Sequence, residues 1–280
     1  MRIIENEKFP LERALYNSKD LILKNCRFEG EEDGESAIKE SNNIELIDCY
    51  MDLRYPFWHS DKIAINSTTM TSNCRAAMWY MDGVKIDNSN LLGIKALREC
   101  KNAKINNCII ESPEFGWKCN NIEMNYTSLK GEYVFLDSND ITLDNFKLDG
   151  KYSFQYVNNM KITNSYLKTK DAFWHTKDVV VENTTLVGEY LAWYSENLTL
   201  INCHIKGTQP FCYCKNLKLI NCTMEETDLS FENSTVTAKI FGNVMSIKNP
   251  KGGRIIVDSC DEFIDDYNNI KDIVQIGGEL

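Results

Sequence analysis

A unit of nineteen residues recurs along most of this 280-residue chain and constrains its fold more than any other feature. Ser195-Glu-Asn-Leu-Thr-Leu-Ile-Asn-Cys-His-Ile is followed nineteen residues later by Cys214-Lys-Asn-Leu-Lys-Leu-Ile-Asn-Cys-Thr-Met. Nineteen residues earlier stands Thr176-Lys-Asp-Val-Val-Val-Glu-Asn-Thr-Thr-Leu. Registered on their eighth residue, the copies fall at Asn25, Asp48, Ser67, Asn88, Asn107, Tyr126, Asn145, Asn164, Asn183, Asn202, Asn221 and Asn233. From Asn88 to Asn221 the interval is nineteen seven times in a row, and a period held that long makes each copy one turn of a coil.

The interior of the unit predicts strands. Positions four and six are apolar (Leu21 and Leu23, Ile44 and Leu46, through to Leu217 and Leu219), a period of two. Position eleven, from Phe28 to Val236, is also apolar and predicts a second strand beyond the Asn. Gly93, Gly131, Gly150, Gly188 and Gly207 occupy position thirteen, where a turn needs backbone freedom. Tyr152 to Tyr156, Tyr190 to Tyr194 and Gln209 to Tyr213 then predict a third strand. Three short strands per nineteen residues predict an all-β fold, a single-stranded parallel β-helix. The right-handed form is favoured because neither a hexapeptide nor a pentapeptide grid fits.

The expected organisation is an N-terminal cap over residues 1–17, coils over 18–237, and a strand-turn-strand cap with an acidic tail over 238–280. The acidic loop Glu31 to Gly34 and the residues near Ser72 to Arg75 are expected as bulges on a turn. The formal net charge of -10 argues against nucleic acid or an anionic membrane as partner, because phosphates demand clustered Lys and Arg. The N-terminus has no apolar signal core, and no apolar run is long enough to span a membrane, so a cytoplasmic protein is expected. The eleven cysteines fall mostly in two repeat columns, which predicts reduced, stackable filler and not disulfides.

Most polar columns have structural readings. The Asn column predicts a buried or half-buried ladder at a corner. Glu111, Lys130, Asp149 and Lys168 alternate in sign from coil to coil and predict cross-strand pairs. The Cys212–Cys214 spacing does not match a zinc knuckle, and no stack of aspartates suits calcium, so no metal or cofactor is expected.

Position eighteen holds all five tryptophans: Trp58, Trp79, Trp117, Trp174 and Trp193. Position nineteen supplies His59, Tyr80, Tyr156, His175, Tyr194 and Tyr213. Adjacent strand residues point to opposite faces, so one set is inside and the other outside. Position seventeen is apolar as well, and the sequence leaves open which set is outside. Pointing inward, the tryptophans are core, and core or partial burial is the favoured reading. Exposure makes them a stripe that stacks on sugar rings or on another chain. Asp171, Trp174 and His175, with Glu189, Trp193 and Tyr194 on the next coil, form the densest mixed polar and aromatic patch. With Trp58, His59, Trp79, Tyr80 and Trp117 they are the candidate binding residues.

The segments Glu12 to Asp20, Tyr55-Pro-Phe-Trp, Asp171-Ala-Phe-Trp, Gly188-Glu-Tyr-Leu-Ala-Trp and Lys248-Asn-Pro resemble those of the bacterial domain of unknown function 3737 family. The resemblance covers nearly the whole chain and implies a pectin-lyase-like right-handed β-helix. It implies no activity and supplies no catalytic residues. Two functions follow as expectations: a noncatalytic solenoid binding a glycan or a protein along an aromatic face, and, by fold analogy alone, a polysaccharide lyase or glycoside hydrolase. The sequence says nothing of oligomeric state.

Overall fold

The computed structural model describes residues 1–30 and 35–278; the expected bulge at Glu31 to Gly34 lies outside them. The fold is an all-β parallel β-solenoid, the β-helix that the repeat predicts, and the chain falls into two compact units, Met1–Thr142 and Leu143–Leu280. Among the described residues the only helix is the single turn Ile270–Ile273, and no helix is long and apolar enough to cross a membrane.

In the first unit the long strands Lys19–Lys24, Asn42–Ile47, Asp61–Asn66, Asp82–Asp87, Lys101–Asn106 and Asn120–Asn125 pair in parallel, each with the next. In the second unit Asn158–Thr163, Lys177–Glu182, Glu196–Ile201 and Leu217–Glu225 do the same. Repeat position therefore maps onto position in the register: Ile63 opposes Val84, and Val181 opposes Leu200. Position six is buried throughout, as at Leu23, Leu46, Ile86, Ile162 and Leu200. The second strand forms at position eleven, with Met51 opposite Met70 and Leu186 opposite Ile205.

The Asn column owes its identity to the backbone. Every residue in it adopts a left-handed conformation, with φ +49° at Asn25, +51° at Asn107 and +52° at Asn202, the region that Asn tolerates best among non-glycine residues. The side chains also bond along the stack: Asn25 Nδ2 donates to Asn6 Oδ1 at 2.7 Å and Asn202 Nδ2 to Asn183 Oδ1 at 3.2 Å. The expected ladder exists, but Asn25, Asn107, Asn183 and Asn202 are exposed, not buried.

The third strand is largely replaced. Among the described residues only Met78–Trp79 and Leu97–Arg98 form it, in the first unit. In the second unit the same stretch is a run of turns in which alternate residues are left-handed: Tyr152, Phe154 and Tyr156 at +58°, +62° and +59°, and Tyr190, Ala192 and Tyr194 at +57°, +63° and +60°. The outer two N–H groups of each run donate to the following coil, as from Tyr190 to Thr208 O (3.0 Å) and Tyr194 to Cys212 O (3.1 Å). The middle one donates backwards, from Ala192 to Ala172 O (2.8 Å). These bonds hold a conformation that costs roughly 1–2 kcal/mol per non-glycine residue.

Glycine at position thirteen answers to crowding as much as to turning. A Cβ on Gly207 (φ +130°) would lie 2.1 Å from the carbonyl oxygen of Gly188 in the coil before. Gly93 has no left-handed φ, yet a Cβ there would lie 2.2 Å from Cys74 O.

The ends depart from the expected caps. Arg2–Glu5 is itself a rung, with Arg2 opposite Leu21, and the Phe9 ring stacks on Phe28 at 4.8 Å. Thr235–Lys248 and Gly252–Ile264 are long parallel strands that continue the stack, so the expected acidic tail from Asp261 begins inside a strand. Val274–Ile276 then pairs with Ile255–Val257.

All eleven cysteines are free, and all but Cys260 are buried. Cys49 Sγ donates to Leu23 O (3.4 Å) and Cys214 Sγ to Ala192 O (3.0 Å), as Ser60 Oγ donates to Ile38 O (2.8 Å). Cys, Ser and Thr interchange in these columns because each donates to a nearby backbone carbonyl, in the coil before or, as Thr68 Oγ1 does to Asn66 O (3.0 Å), in its own coil.

Candidate functional site

The third side of each coil decides the question left open at positions seventeen to nineteen. On a regular strand Phe154 and Tyr156 would share a face. With alternate left-handed residues, Phe154 is fully buried while Tyr156 is 49% exposed, and the residue between them is half-buried. Positions seventeen, eighteen and nineteen are thus core, boundary and surface.

The five tryptophans occupy the boundary, and their polar atom points back into the fold. Trp58, Trp79, Trp117, Trp174 and Trp193 each donate the indole N–H to a carbonyl of the next coil, at 2.5, 2.8, 2.5, 2.8 and 2.9 Å. The acceptors are Ala76, Lys95, Tyr133, Tyr190 and Gln209, all left-handed. Gln155, which holds this column where no Trp does, donates Nε2 to Asp171 O at 3.0 Å, and Asp171 is left-handed too. The column is a set of clamps on the strained start of the following turn.

The indole faces are also used. Trp58 stacks on Trp79 (5.0 Å, 7°) and Trp174 on Trp193 (5.4 Å, 5°). In the first unit the Arg98 guanidinium lies 4.9 Å from the Trp79 ring and 4.9 Å from the Trp117 ring, filling the gap between them. A tryptophan stripe that offers its faces to sugar rings is therefore not what the chain builds.

Position nineteen is different. In the second unit Tyr156, His175, Tyr194 and Tyr213 form one column, with centroid separations of 5.0, 5.0 and 4.8 Å and interplanar angles of 3°, 6° and 11°. His59 and Tyr80 form a shorter one in the first unit (4.8 Å, 13°). The rings cover one another's faces, so what the column presents to solvent is a row of edges. Those edges carry phenol hydroxyls and imidazole nitrogens, and none of these atoms in Tyr156, His175, Tyr194 or Tyr213 has a side-chain hydrogen-bond partner among the described residues. Burial, then the neighbouring Glu232, pushes the Tyr213 hydroxyl above its usual range. Lys248 neutralises Glu232 at 3.0 Å.

The acidic members of the sequence patch lie one coil apart: Asp171 N donates to Glu189 O at 2.9 Å. Partial burial raises the Asp171 carboxyl above its ordinary range; Lys170 opposes this and Glu189 adds to it. Among the described residues no three His, Cys, Asp or Glu side chains gather as metal ligands would.

The structure thus stacks Trp174 on Trp193 and His175 on Tyr194 in the second unit, with Asp171 beside Glu189, and stacks Trp58 on Trp79 and His59 on Tyr80 in the first, with Trp117 joined to Trp79 through Arg98. Selection by tryptophan missed Tyr156 and Tyr213, whose position-eighteen neighbours are Gln155 and Cys212, and Arg98, which shares the tryptophan column. The column alignment carries all three signals.

A family model, described as a protein of unknown function, DUF3737, matches residues 2–276. No curated protein matches the chain. Among solved structures, the tailspike protein of Escherichia coli bacteriophage HK620, in complex with a pentasaccharide, is similar at TM-score 0.50 and 8% identity, covering 96% of this chain and 68% of that one. PfbA, a surface adhesin of Streptococcus pneumoniae, is similar at TM-score 0.49 and 10% identity, over 94% of this chain and 85% of that one. The A-module of the Azotobacter vinelandii mannuronan C-5 epimerase AlgE4 is similar at TM-score 0.34 and 11% identity, over 98% and 89%. At such identities the likeness is one of fold alone.

Proposed function

Because the chain belongs to the DUF3737 family, whose function is unknown, we propose its role from its own surface: a noncatalytic solenoid that binds a glycan through the ring edges of its second unit. One contrast carries this reading. The indole N–H groups of the tryptophan column are all engaged by backbone, whereas the side chains of Tyr156, His175 and Tyr194 in the adjacent column are exposed, that of Tyr213 is half-buried, and none of their polar atoms has a side-chain hydrogen-bond partner among the described residues. A phenol both donates and accepts, and a neutral imidazole does one of each, which suits the hydroxyls of a sugar. The tailspike protein, similar in fold and solved in complex with a pentasaccharide, is consistent with the same ligand class.

The test is a screen of immobilised glycans with the wild-type chain and with Tyr194→Phe, which keeps the stacked ring and removes the hydroxyl. Loss of one hydrogen bond to ligand weakens binding about tenfold. Absence of any glycan binding, or equal binding by both proteins, overturns the reading.

A second reading, a carbohydrate-active enzyme, draws on Asp171, whose carboxyl is held toward its protonated form beside the Glu189 carboxylate. An acid and a carboxylate on one face are what glycoside cleavage uses. Release of reducing ends by the wild type but not by Asp171→Asn is the outcome this reading requires.

A further inference from the structure

We propose that the second unit takes a linear, extended β-linked glycan laid parallel to the stacking direction of its coils, one sugar per coil, with Tyr156, His175, Tyr194 and Tyr213 marking four successive subsites. This rests on the glycan-binding reading above and adds orientation, length and linkage to it.

Periodicity is the first argument. The four ring edges recur at 5.0, 5.0 and 4.8 Å. A ligand gains from all four only if it offers some hydrogen-bonding group at about that spacing along the same line, the same one each time or different ones in turn. An extended sugar chain advances by about the width of one ring per residue, which is the width of one coil. An extended peptide advances by about 3.3 Å per residue and falls out of step after one coil.

The second argument is that each coil offers more than one contact in the same repeat. Two residues beyond each ring edge the long strand begins with a polar side chain, and Lys177, Glu196 and Lys215 stand in register there. With Asn158 opposite Lys177 in the coil of Tyr156, each of the four coils presents a ring edge and a polar or charged group in fixed relation.

The third argument concerns ring orientation. The faces are closed by stacking within 11° of parallel, so a sugar ring cannot lie flat on them. It is held by its hydroxyls, and a chain whose hydroxyls alternate regularly along a straight axis meets such a row. A chain that coils, as an α-linked glucan does, leaves the row after one or two residues.

The experiment uses the full chain and measures affinity by calorimetry for β-1,4-linked gluco-, xylo-, manno- and chito-oligosaccharides of two to six sugars, with α-1,4-linked gluco-oligosaccharides of equal length and an extended polar peptide as comparisons. The expected result is that at least one β-linked series gains affinity at every addition up to four sugars, by about tenfold or more in all, and then levels off. Tyr156→Phe and Tyr213→Phe, which keep the stack, move the plateau from four sugars to three. A plateau at two sugars, equal affinity for the coiled series, tighter binding of the peptide, or an unmoved plateau in both variants overturns the inference while leaving glycan binding itself intact. If no member of any sugar series binds the wild type, both fail.

Discussion

The indole nitrogen of Trp193 lies 2.9 Å from the carbonyl oxygen of Gln209, a residue of the next coil held at φ +49°. Its neighbour Tyr194 turns the other way, its ring on Tyr213 at 4.8 Å and its hydroxyl without a side-chain partner among the described residues. Trp193→Phe should therefore lower stability by about 1 kcal/mol, the worth of one hydrogen bond, while Tyr194→Phe leaves it within about 0.5 kcal/mol. Urea midpoints at a common slope decide this. Equal loss in both variants would show that the two columns do not divide their labour.

Arg98 holds two tryptophans apart by filling the space between them. Arg98→Ala removes both cation–π contacts, each worth about 0.5–1 kcal/mol at a partly exposed site, together with the packing of its stem. Arg98→Gln should recover little of this. Thermal unfolding followed by tryptophan emission should show the loss, with emission of the folded variant shifted to the red as Trp79 and Trp117 gain water.

Burial raises the thiols of Cys49, Cys108 and Cys214 from 9.0 to about 11, and those of Cys74 and Cys212 to about 12. Below pH 9 the folded and unfolded chains both keep these protons, and the contribution to stability is complete. Between pH 9 and about 11 to 12 the unfolded chain releases protons that the folded chain holds, so stability falls as pH rises. The drop in urea midpoint from pH 8 to 10.5 should be smaller in a Cys74→Ser, Cys212→Ser variant. At pH 8 a thiol reagent should label the partly exposed Cys260 first and the other ten only after unfolding.

Gly207→Ala forces a Cβ to within 2.1 Å of Gly188 O, so two coils must separate. A cost of about 1–3 kcal/mol, typical of overpacking, is expected. Gly242, with φ +83° and nothing within 4 Å of its Cβ direction, is the comparison: Gly242→Asn should cost only the strain of a left-handed residue, about 1 kcal/mol, with no crowding added.

Much of this was written in the columns. The period, the first two strands and the reduced cysteines follow from side chains that recur every nineteen residues, because stacking turns each column into a row of like contacts. What misled was the step from Tyr152-Ser-Phe-Gln-Tyr to a strand. That segment has the composition of one, yet its backbone alternates in hand, and no side-chain pattern encodes the sign of φ at a tyrosine or a phenylalanine. The same blind spot hid the purpose of the asparagines, whose ladder is real but exposed; a left-handed corner wants Asn whether or not it is buried. It also left the tryptophans undecided: they are neither core nor stripe, and only the acceptor carbonyls of the next coil say why they recur.

The coil period also sets the grain of change open to this surface. Each copy bonds only to its neighbours, so duplication of a single nineteen-residue segment is a tolerated step for such a chain. A duplicate of the segment around Tyr194 would add one further ring edge in line with the others, at the same interval. The number of positions along the row is therefore an integer set by gene duplication, and relatives with one copy more or fewer would differ in reach without any change in the chemistry of a single contact.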